Sequence, residues 1–457
     1  MSTYFRLILG PVLAVAVYLA SLFGTGLSDA AALVASITAL CACWWVLEPI
    51  PIPATSFIPL ALLPLLGILT PAQVAEAYGN PLILLLMGGC ILSTAMERSG
   101  AHKKIALIMV HAFGGGSSRR VVFGFMAASA ILSMWISNTA TTLMLLPVAL
   151  AVVSSSENKA LAVPLLLGIC YAASIGGMGT PIGTPPNLIL MRVYEERTGE
   201  SVSFLRWMMW CVPVVVVFVP LVGLWLTRNL SCKAGFELPE KEGWTSEQRR
   251  VMWIFLVTAL AWMTRSDPFG GWKGLFGVPH ANDASVALIA VVVMFLVPNG
   301  RGSKLLDWQT AAKIPWGMLI LFSGGIALAK GFVESGLADF LAAGIGGLVT
   351  LPMLLMMFLI CIGVTFLTEV TSNTASTSLL MPVLVVAAMN AGTDPLVMMV
   401  PAALSASCAF MLPVATAPNA IVFGSGQVQI SDMVRYGVVL NVLGAAVISL
   451  LIGIHFL

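Results

Sequence analysis

Charged residues are scarce in this sequence, at 9% of 457 residues. A soluble protein carries about 25%, so the composition excludes a large soluble domain. Hydrophobic residues make up 59% of the chain, and they occur in runs of about 20 residues, which is the length that crosses a bilayer as a helix. The composition therefore predicts an all-α, polytopic membrane protein embedded in a lipid bilayer.

Other features that the sequence lacks argue against further classes of function. The net charge is only +2 and no basic face is clustered, which argues against nucleic acid as a partner. The close cysteine pair, Cys41 and Cys43, lacks the two-residue gap of redox and zinc motifs. No HisGluXXHis motif or other nucleophile–base constellation occurs at membrane depth, so we do not expect an enzyme.

Apolar runs divide the chain into about eleven transmembrane spans and two re-entrant helical hairpins. The first run is long for a signal peptide and another follows at once, so we expect it to remain as a span. A basic loop is expected before the first hairpin, and a polar surface stretch at 228–250. The predicted spans are 7–24, 30–46, 56–69, 80–97, 161–194, 207–227, 251–264, 283–298, 314–331, 396–426 and 433–455, and the hairpins are 121–156 and 352–391.

Two polar triplets interrupt the apolar sequence. The first tip motif is Ser137–Thr139, and the second tip motif, Ser372–Thr374, follows 235 positions later (372 − 137). Polar groups at membrane depth are costly unless they have partners or a function. A continuous span would not carry such a cluster at its centre. We therefore place each motif at the tip of a hairpin that is buried in protein or lines a cavity.

Two further segments cannot form continuous helix. The first break, residues 179–187, holds three prolines and two glycines, and the second break, residues 412–419, holds two prolines. Thr184 and Asn187 of the first break recur in the second break 232 positions later. The pattern predicts two discontinuous spans, each with an unwound middle.

The repeat is inverted with respect to the membrane. With both hairpins treated as re-entrant and the N-terminus in the cytoplasm, 16 of the 22 lysines and arginines lie on the cytoplasmic side and 6 on the other. If either hairpin were counted as a full span, the later loops would lie on the opposite side of the membrane and this bias would be lost. An inverted repeat with broken helices is typical of a secondary transporter, and it fits alternating access better than a channel.

The residue types of the motifs suggest what is transported. Hydroxyl, amide and carbonyl oxygens suit a hard cation such as Na⁺, and helix N-termini suit an anion. No lysine or arginine lies in the tip motifs or the breaks. An anion bound there would depend on neutral donors and on a neighbouring cation, and this dependence is a physical route to symport.

Some polar residues have more than one interpretation. The hydroxyls of Thr141 and Thr142 have an equal claim to simple bonding with the backbone, which is common in membrane helices. Glu369 precedes the second tip motif where the first half has Met134. A proton or cation site and a structural or gating role both stay open for this carboxylate.

The tip motifs, the breaks, the polar stretch between the halves and the inverted repeat resemble the divalent anion/sodium symporter family over nearly the whole chain. Members of that family carry di- and tricarboxylates or sulfate. The resemblance implies a homodimer in a bacterial inner membrane, with a scaffold that holds the dimer and a transport domain that moves in an elevator motion. The implied scaffold is 1–120 and 251–351, the transport domain is 121–232 and 352–457, and an interfacial connector is 233–250.

The resemblance also implies ligand sets. The first sodium site uses Ser133, Ser137, Asn138 and the carbonyl of Gly183, and the second uses Thr368, Thr371, Asn373 and the carbonyl of Ala415. The substrate meets Ser137, Asn138, Thr139, Thr184, Pro185, Ser372, Asn373, Thr374, Thr416 and Ala417. The chain departs from the family at Ala417, where a first proline is usual. This departure leaves the exact substrate more open than its class.

These inferences predict sodium-coupled symport of C4-dicarboxylates such as succinate, malate or fumarate. The alternatives are a sodium-independent exchanger of similar anions and a sodium-coupled carrier of citrate or sulfate. The intact hydroxyl and amide set at both implied cation sites favours coupling to sodium. We expect sodium to act as the coupling ion.

Overall fold

The structure is a computed structural model that describes residues 3–113, 117–156, 158–230, 243–266 and 270–456. Regular structure in these ranges is helical, apart from one isolated antiparallel bridge between Pro298 and Lys304. The α-helices are α1 (Thr3–Gly24), α2 (Asp29–Leu47), α3 (Ile52–Thr55), α4 (Phe57–Leu65), α5 (Pro71–Tyr78), α6 (Pro81–Ser99), α7 (Ala101–Phe113), α8 (Ser118–Ser133), α9 (Asn138–Ser155), α10 (Ala162–Gly177), α11 (Pro185–Thr198), α12 (Phe204–Thr227), α13 (Ser246–Met263), α14 (Gly271–Leu275), α15 (Asp283–Leu296), α16 (Trp308–Ala311), α17 (Trp316–Glu334), α18 (Leu337–Val349), α19 (Met353–Thr368), α20 (Asn373–Asn390), α21 (Leu396–Ser405), α22 (Ala417–Gly424) and α23 (Ile430–Phe456).

Within the described ranges, eight helical segments are long and apolar enough to cross a membrane. Shorter apolar helices of 10–17 residues accompany them, including α10 and α21, which lead into the two breaks. The expectation of an all-α, multi-pass membrane protein is thus confirmed. The number of helices that cross the bilayer stays a prediction, because helix length and composition do not reveal where lipid lies.

The two predicted hairpins are pairs of helices that reverse at the tip motifs. Helix α8 ends at Ser133 and α9 begins at Asn138, and in the second half α19 ends at Thr368 and α20 begins at Asn373. Both helix pairs are too polar at the turn to form one straight span. The sequence therefore located the chain reversals to within a few residues.

The two predicted broken spans are also discontinuous in the structure. The first break is non-helical from 178 to 184, between α10 and α11. The second break is longer, since α21 ends at Ser405 and α22 begins only at Ala417. The earlier end of α21 has a specific cause, described below with Glu369.

Two long helices, besides several short ones, were not predicted from the sequence. Helix α7 occupies most of the segment expected to be a basic loop, and α18 occupies its counterpart in the second half. In α7, Lys103 is exposed while Ala106 and Val110 are buried. This is an amphipathic pattern that a search for uniformly apolar runs does not detect. Helix α7 packs against α8 and α18 packs against α20, so both contact hairpins.

The expected interfacial connector at 233–250 is only partly described. Residues 233–242 lie outside the described residues. Helix α13 begins at Ser246, inside the expected connector, because Thr245 caps it and exchanges hydrogen bonds with Gln248 in a capping box. The polar end of this stretch is therefore the first turn of a helix.

The two halves interlock around the breaks. Helix α11, which follows the first break, packs against α20 and α21 of the second half. Helix α22, which follows the second break, packs against α9 and α10 of the first half. Helices α12 and α23 also pack against each other. Helices α11 and α22 are the half-helices that follow the two breaks. Each half-helix is therefore held by the other repeat, and both breaks reach one shared site.

Candidate functional site

The tip of each hairpin is built around its asparagine. In the first tip, the Ser137 hydroxyl accepts a hydrogen bond from the backbone N–H of Ala140 (3.1 Å) and so caps α9. The Thr142 hydroxyl donates to the carbonyl oxygen of Asn138 (2.9 Å). Thr377 donates in the same way to the carbonyl of Asn373 (2.7 Å) in the second half. The two tips therefore share a backbone design, and Thr142 serves the backbone there, one of the roles left open for it.

Each asparagine side chain also meets a hydroxyl at the end of the preceding helix. Ser133 Oγ donates to Asn138 Oδ1 at 2.5 Å, and Thr368 Oγ1 donates to Asn373 Oδ1 at 2.5 Å. Ser133 and Thr368 are fully buried behind the tips. At each implied sodium site, the structure thus brings together one hydroxyl and one amide oxygen of the expected ligand set.

The two breaks are pinned by the asparagines that end them. Asn187 Nδ2 donates to the carbonyl oxygens of Gly177 (3.1 Å) and Thr180 (2.8 Å). Asn419 Nδ2 donates to the carbonyls at the equivalent positions 232 residues later, at 2.9 and 3.0 Å. Both asparagines are fully buried. Each asparagine therefore ties two carbonyls of the unwound region to the first turn of the helix that follows it.

Two oxygens of the first expected sodium site lie close to the backbone of Gly177. A Cβ atom built on Gly177 would lie 2.8 Å from Asn138 Oδ1 and 3.1 Å from the carbonyl oxygen of Gly183. The two oxygens therefore approach the same residue, and they can do so because residue 177 has no side chain. Amide and carbonyl oxygens around a small volume are suitable ligands for Na⁺.

At the second expected sodium site, the side-chain hydroxyls already make hydrogen bonds within the protein. The Thr371 hydroxyl donates to the carbonyl oxygen of Leu367 (2.8 Å) and also contacts the Ser376 hydroxyl. Thr368 Oγ1 lies 3.0 Å from the carbonyl oxygen of Ala406 as well. Thr371 and Ala415 line the cavity described next, whereas Thr368 lies behind it.

A cavity of about 930 Å³ separates the two tips. Its wall includes every residue expected to meet the substrate: Ser137, Asn138, Thr139, Thr184, Pro185, Ser372, Asn373, Thr374, Thr416 and Ala417. Four helices, α9, α11, α20 and α22, begin at this wall with their N-termini. Helix N-termini carry partial positive charge and free N–H groups. The cavity is therefore suited to an anion, although no tip or break supplies a cationic side chain.

The cavity has a charged mouth. Arg6, Glu48, Glu97 and Lys313 line it together with the ends of α2 and α6. The charges of the two cationic side chains and the two carboxylates balance, so the mouth has no strong preference for ions of either sign. By the charge bias described above, all four residues lie on the predicted cytoplasmic side.

The other end of the bundle carries charge pairs. Lys330 lies on α17 about 21 Å beyond Trp316, from the helical rise per residue, and its Nζ pairs with Glu76 at 2.9 Å. Arg192 pairs with Glu196 on α11, which packs against α17. None of these four charged side chains lines the cavity.

Glu369 holds the second break. Its carboxylate accepts hydrogen bonds from the backbone N–H groups of Phe410 (2.7 Å), Met411 (2.8 Å) and Leu412 (3.0 Å). The side-chain amide of Asn441 donates to it at 2.8 Å. The carboxylate takes the place of the carbonyls that would accept from these backbone N–H groups in a continuing helix, which explains why α21 ends early. Of the roles left open for Glu369, the geometry supports the structural one.

The first break is held by neutral groups instead. The Thr180 hydroxyl donates to the carbonyl oxygen of Met134, the position that matches Glu369. Trp207 Nε1 donates to the carbonyl oxygen of Met178 at 2.9 Å. The two halves thus use different chemistry for the same task. Asn441 was missed in the sequence, although a lone asparagine in the apolar α23 was a usable signal.

Comparison with known proteins identifies the family. A family profile described as the sodium:sulfate symporter transmembrane region matches residues 4–456. The chain belongs to this family. The match confirms the resemblance seen in the motifs, and it confirms that the chain is a transporter and not an enzyme, since the family consists of symporters.

Two relatives agree with this assignment, and a solved structure shares the fold. The chain is similar to the sodium-dependent dicarboxylate transporter SdcS of Staphylococcus saprophyticus, with 39% identity over 98% of this chain and 90% of the relative. The protein of the same name from Staphylococcus aureus is 38% identical over 92% of this chain and 85% of the relative. The fold resembles the crystal structure of the Alcanivorax borkumensis YdaH transporter, with a TM-score of 0.61, 17% identity and coverage of 84% of this chain and 87% of that one.

Proposed function

We propose that this member of the sodium:sulfate symporter family carries C4-dicarboxylates such as succinate, malate or fumarate across the membrane together with sodium ions. The observation that carries the proposal is the cavity where four helix N-termini and two asparagine tips meet without any lysine or arginine from the motifs. An anion held by neutral donors gains from a neighbouring cation. The names of the staphylococcal relatives, sodium-dependent dicarboxylate transporters, support the same substrate class and ion.

The cations occupy the two expected sites in this proposal. Ser133, Ser137, Asn138 and the carbonyl of Gly183 form the first, and Thr368, Thr371, Asn373 and the carbonyl of Ala415 form the second. The convergence of Asn138 Oδ1 and the Gly183 carbonyl beside Gly177 supports the first site. The anion lies between the tips, where Asn138 and Asn373 reach both the cavity and a cation site. Loss of either asparagine therefore weakens the binding of both ligands.

The proposed movement is the one that the family resemblance implies. The predicted scaffold (1–120 and 251–351) and transport domain (121–232 and 352–457) slide past each other in an elevator motion, with the hairpins re-entrant from opposite sides. The chain works as a homodimer in the bacterial inner membrane, with its N-terminus in the cytoplasm. The cavity mouth at Arg6 and Lys313 then faces the cytoplasm, and this structure is the inward-facing state. The 16-to-6 distribution of lysine and arginine supports that orientation.

Uptake into proteoliposomes tests the proposal. Labelled succinate is supplied with an inward sodium gradient, with potassium replacing sodium, and with excess sulfate or citrate as competitors. The variants are Asn138→Ala and Asn373→Ala, and the matched control is Asn229→Ala, an exposed asparagine after α12. We expect sodium-driven uptake in the wild type and the control, and little in the two tip variants.

Each alternative gives its own result in this assay. Uptake without a sodium gradient would indicate a sodium-independent exchanger instead of a symporter. Stronger inhibition by sulfate or citrate than by unlabelled succinate would change the class of anion. Full activity in both tip variants would contradict the assignment of the site.

A further inference from the structure

The two half-helices that face the cavity begin differently. Helix α11 begins with Pro185 and α22 begins with Ala417, at matching positions of the two breaks. Proline has no backbone N–H, whereas alanine has one. The N–H of a first helical residue has no partner within its own helix. Ala417 is exposed on the cavity wall, and its N–H makes no hydrogen bond within the described part of the chain.

The threonines that precede Pro185 and Ala417 also differ, because one caps its helix and the other does not. Thr416 Oγ1 accepts a hydrogen bond from the backbone N–H of Asn419 (3.2 Å) and caps α22. Thr184 makes no such contact with α11. It is 4% exposed, it lines the cavity, and its hydroxyl has no hydrogen-bond partner among the described residues. A hydroxyl on a cavity wall that has no partner in the described protein is free to donate to a bound ligand.

Each half-helix therefore offers the cavity an unpaired donor, and these include the hydroxyl of Thr184 from α11 and the N–H of Ala417 from α22. We propose that the Ala417 N–H donates to a carboxylate of the bound anion and is a determinant of its affinity and selectivity. The inference rests on the proposed function and assigns one atom of its site. Two donors on two opposed half-helices suit an anion with two acceptor ends, since each carboxylate has oxygens that only accept.

The geometry also explains why this donor can be removed cleanly. Thr416 has φ −141° and ψ 153°, and Thr184, which already precedes a proline, has φ −147° and ψ 145°. A residue before proline prefers this extended region, and proline is favoured at the first helical position. The change Ala417→Pro therefore repeats in the second break a backbone that the first break already has.

Calorimetric binding of succinate to the purified protein in sodium tests the inference. We expect Ala417→Pro to weaken binding about tenfold or more, because a hydrogen bond to a charged group is lost. Ala417→Val is the matched control for bulk, since it adds a larger side chain at the same place but keeps the N–H, and it should weaken binding less than Ala417→Pro. Binding of sodium alone should be unchanged in both variants, and thermal unfolding of Ala417→Pro should not fall below that of the wild type.

The outcomes separate this inference from the proposed function. If the wild type does not bind succinate in sodium, the proposed function fails and the inference fails with it. If the wild type binds succinate and Ala417→Pro binds it equally well, only the inference is overturned. Equal losses in Ala417→Pro and Ala417→Val would also overturn it, because pocket volume and not the donor would then set the affinity.

Discussion

Replacement of Glu369 tests how the second break is held open. The carboxylate is 3% exposed and accepts hydrogen bonds from three consecutive backbone N–H groups and from the amide of Asn441. No cationic side chain forms an ion pair with it within the described residues. Glu369→Ala leaves all four donors without their acceptor, and Glu369→Gln keeps one acceptor oxygen while adding a competing donor.

The magnitude depends on which donors water can reach. Phe410 and Asn441 are fully buried, whereas Met411 and Leu412 are only half-buried and can be rehydrated. A buried donor left unsatisfied costs about 1–3 kcal/mol, so the two buried donors together cost about 2–6 kcal/mol in Glu369→Ala. Glu369→Gln should lose less, about 1–2 kcal/mol, because a neutral acceptor remains.

The measurement is unfolding of the purified protein in detergent, followed by tryptophan fluorescence. Glu195→Gln is the matched control, because Glu195 is exposed on α11 and its side chain makes no hydrogen bond within the described residues. Wild-type stability in Glu369→Ala would refute the structural role. Wild-type stability combined with loss of the sodium dependence of uptake would instead indicate a cation site at Glu369.

Three further changes have defined outcomes. Gly177→Ala places a Cβ 2.8 Å from Asn138 Oδ1 and should raise the half-saturating sodium concentration for uptake at least about tenfold; Gly363→Ala, whose Cβ would meet no atom within 4 Å, is the control. Asn419→Asp removes the amide donor to two carbonyls and should lower stability in detergent by about 1–3 kcal/mol, and an unaltered unfolding curve would contradict this. Asp283→Ala leaves the buried Arg265 guanidinium unpaired and should cost about 3–5 kcal/mol in the same assay, while a variant that replaces both residues by leucine should recover much of the loss.

Local sequence was sufficient for the elements that make the site. The tip motifs and the breaks are polar or proline-rich interruptions in apolar runs, and such interruptions force a chain reversal or an unwound stretch wherever they occur. The starts of α9 at Asn138 and of α20 at Asn373 were accordingly predictable. Helices α7 and α18 were not, because their amphipathic pattern does not produce an unbroken apolar run.

Tertiary structure decided how those elements combine. The bonds from Glu369 to Asn441 and to Phe410 join residues 72 and 41 positions apart, and no local pattern specifies such a pairing. The packing of each half-helix against the opposite repeat gathers four helix N-termini at one cavity. The sequence by itself determined which groups are polar and where the helices stop, since those are properties of short segments. Only the packing decided which donors remain unpaired, because a hydrogen bond depends on what the rest of the fold brings within about 3 Å.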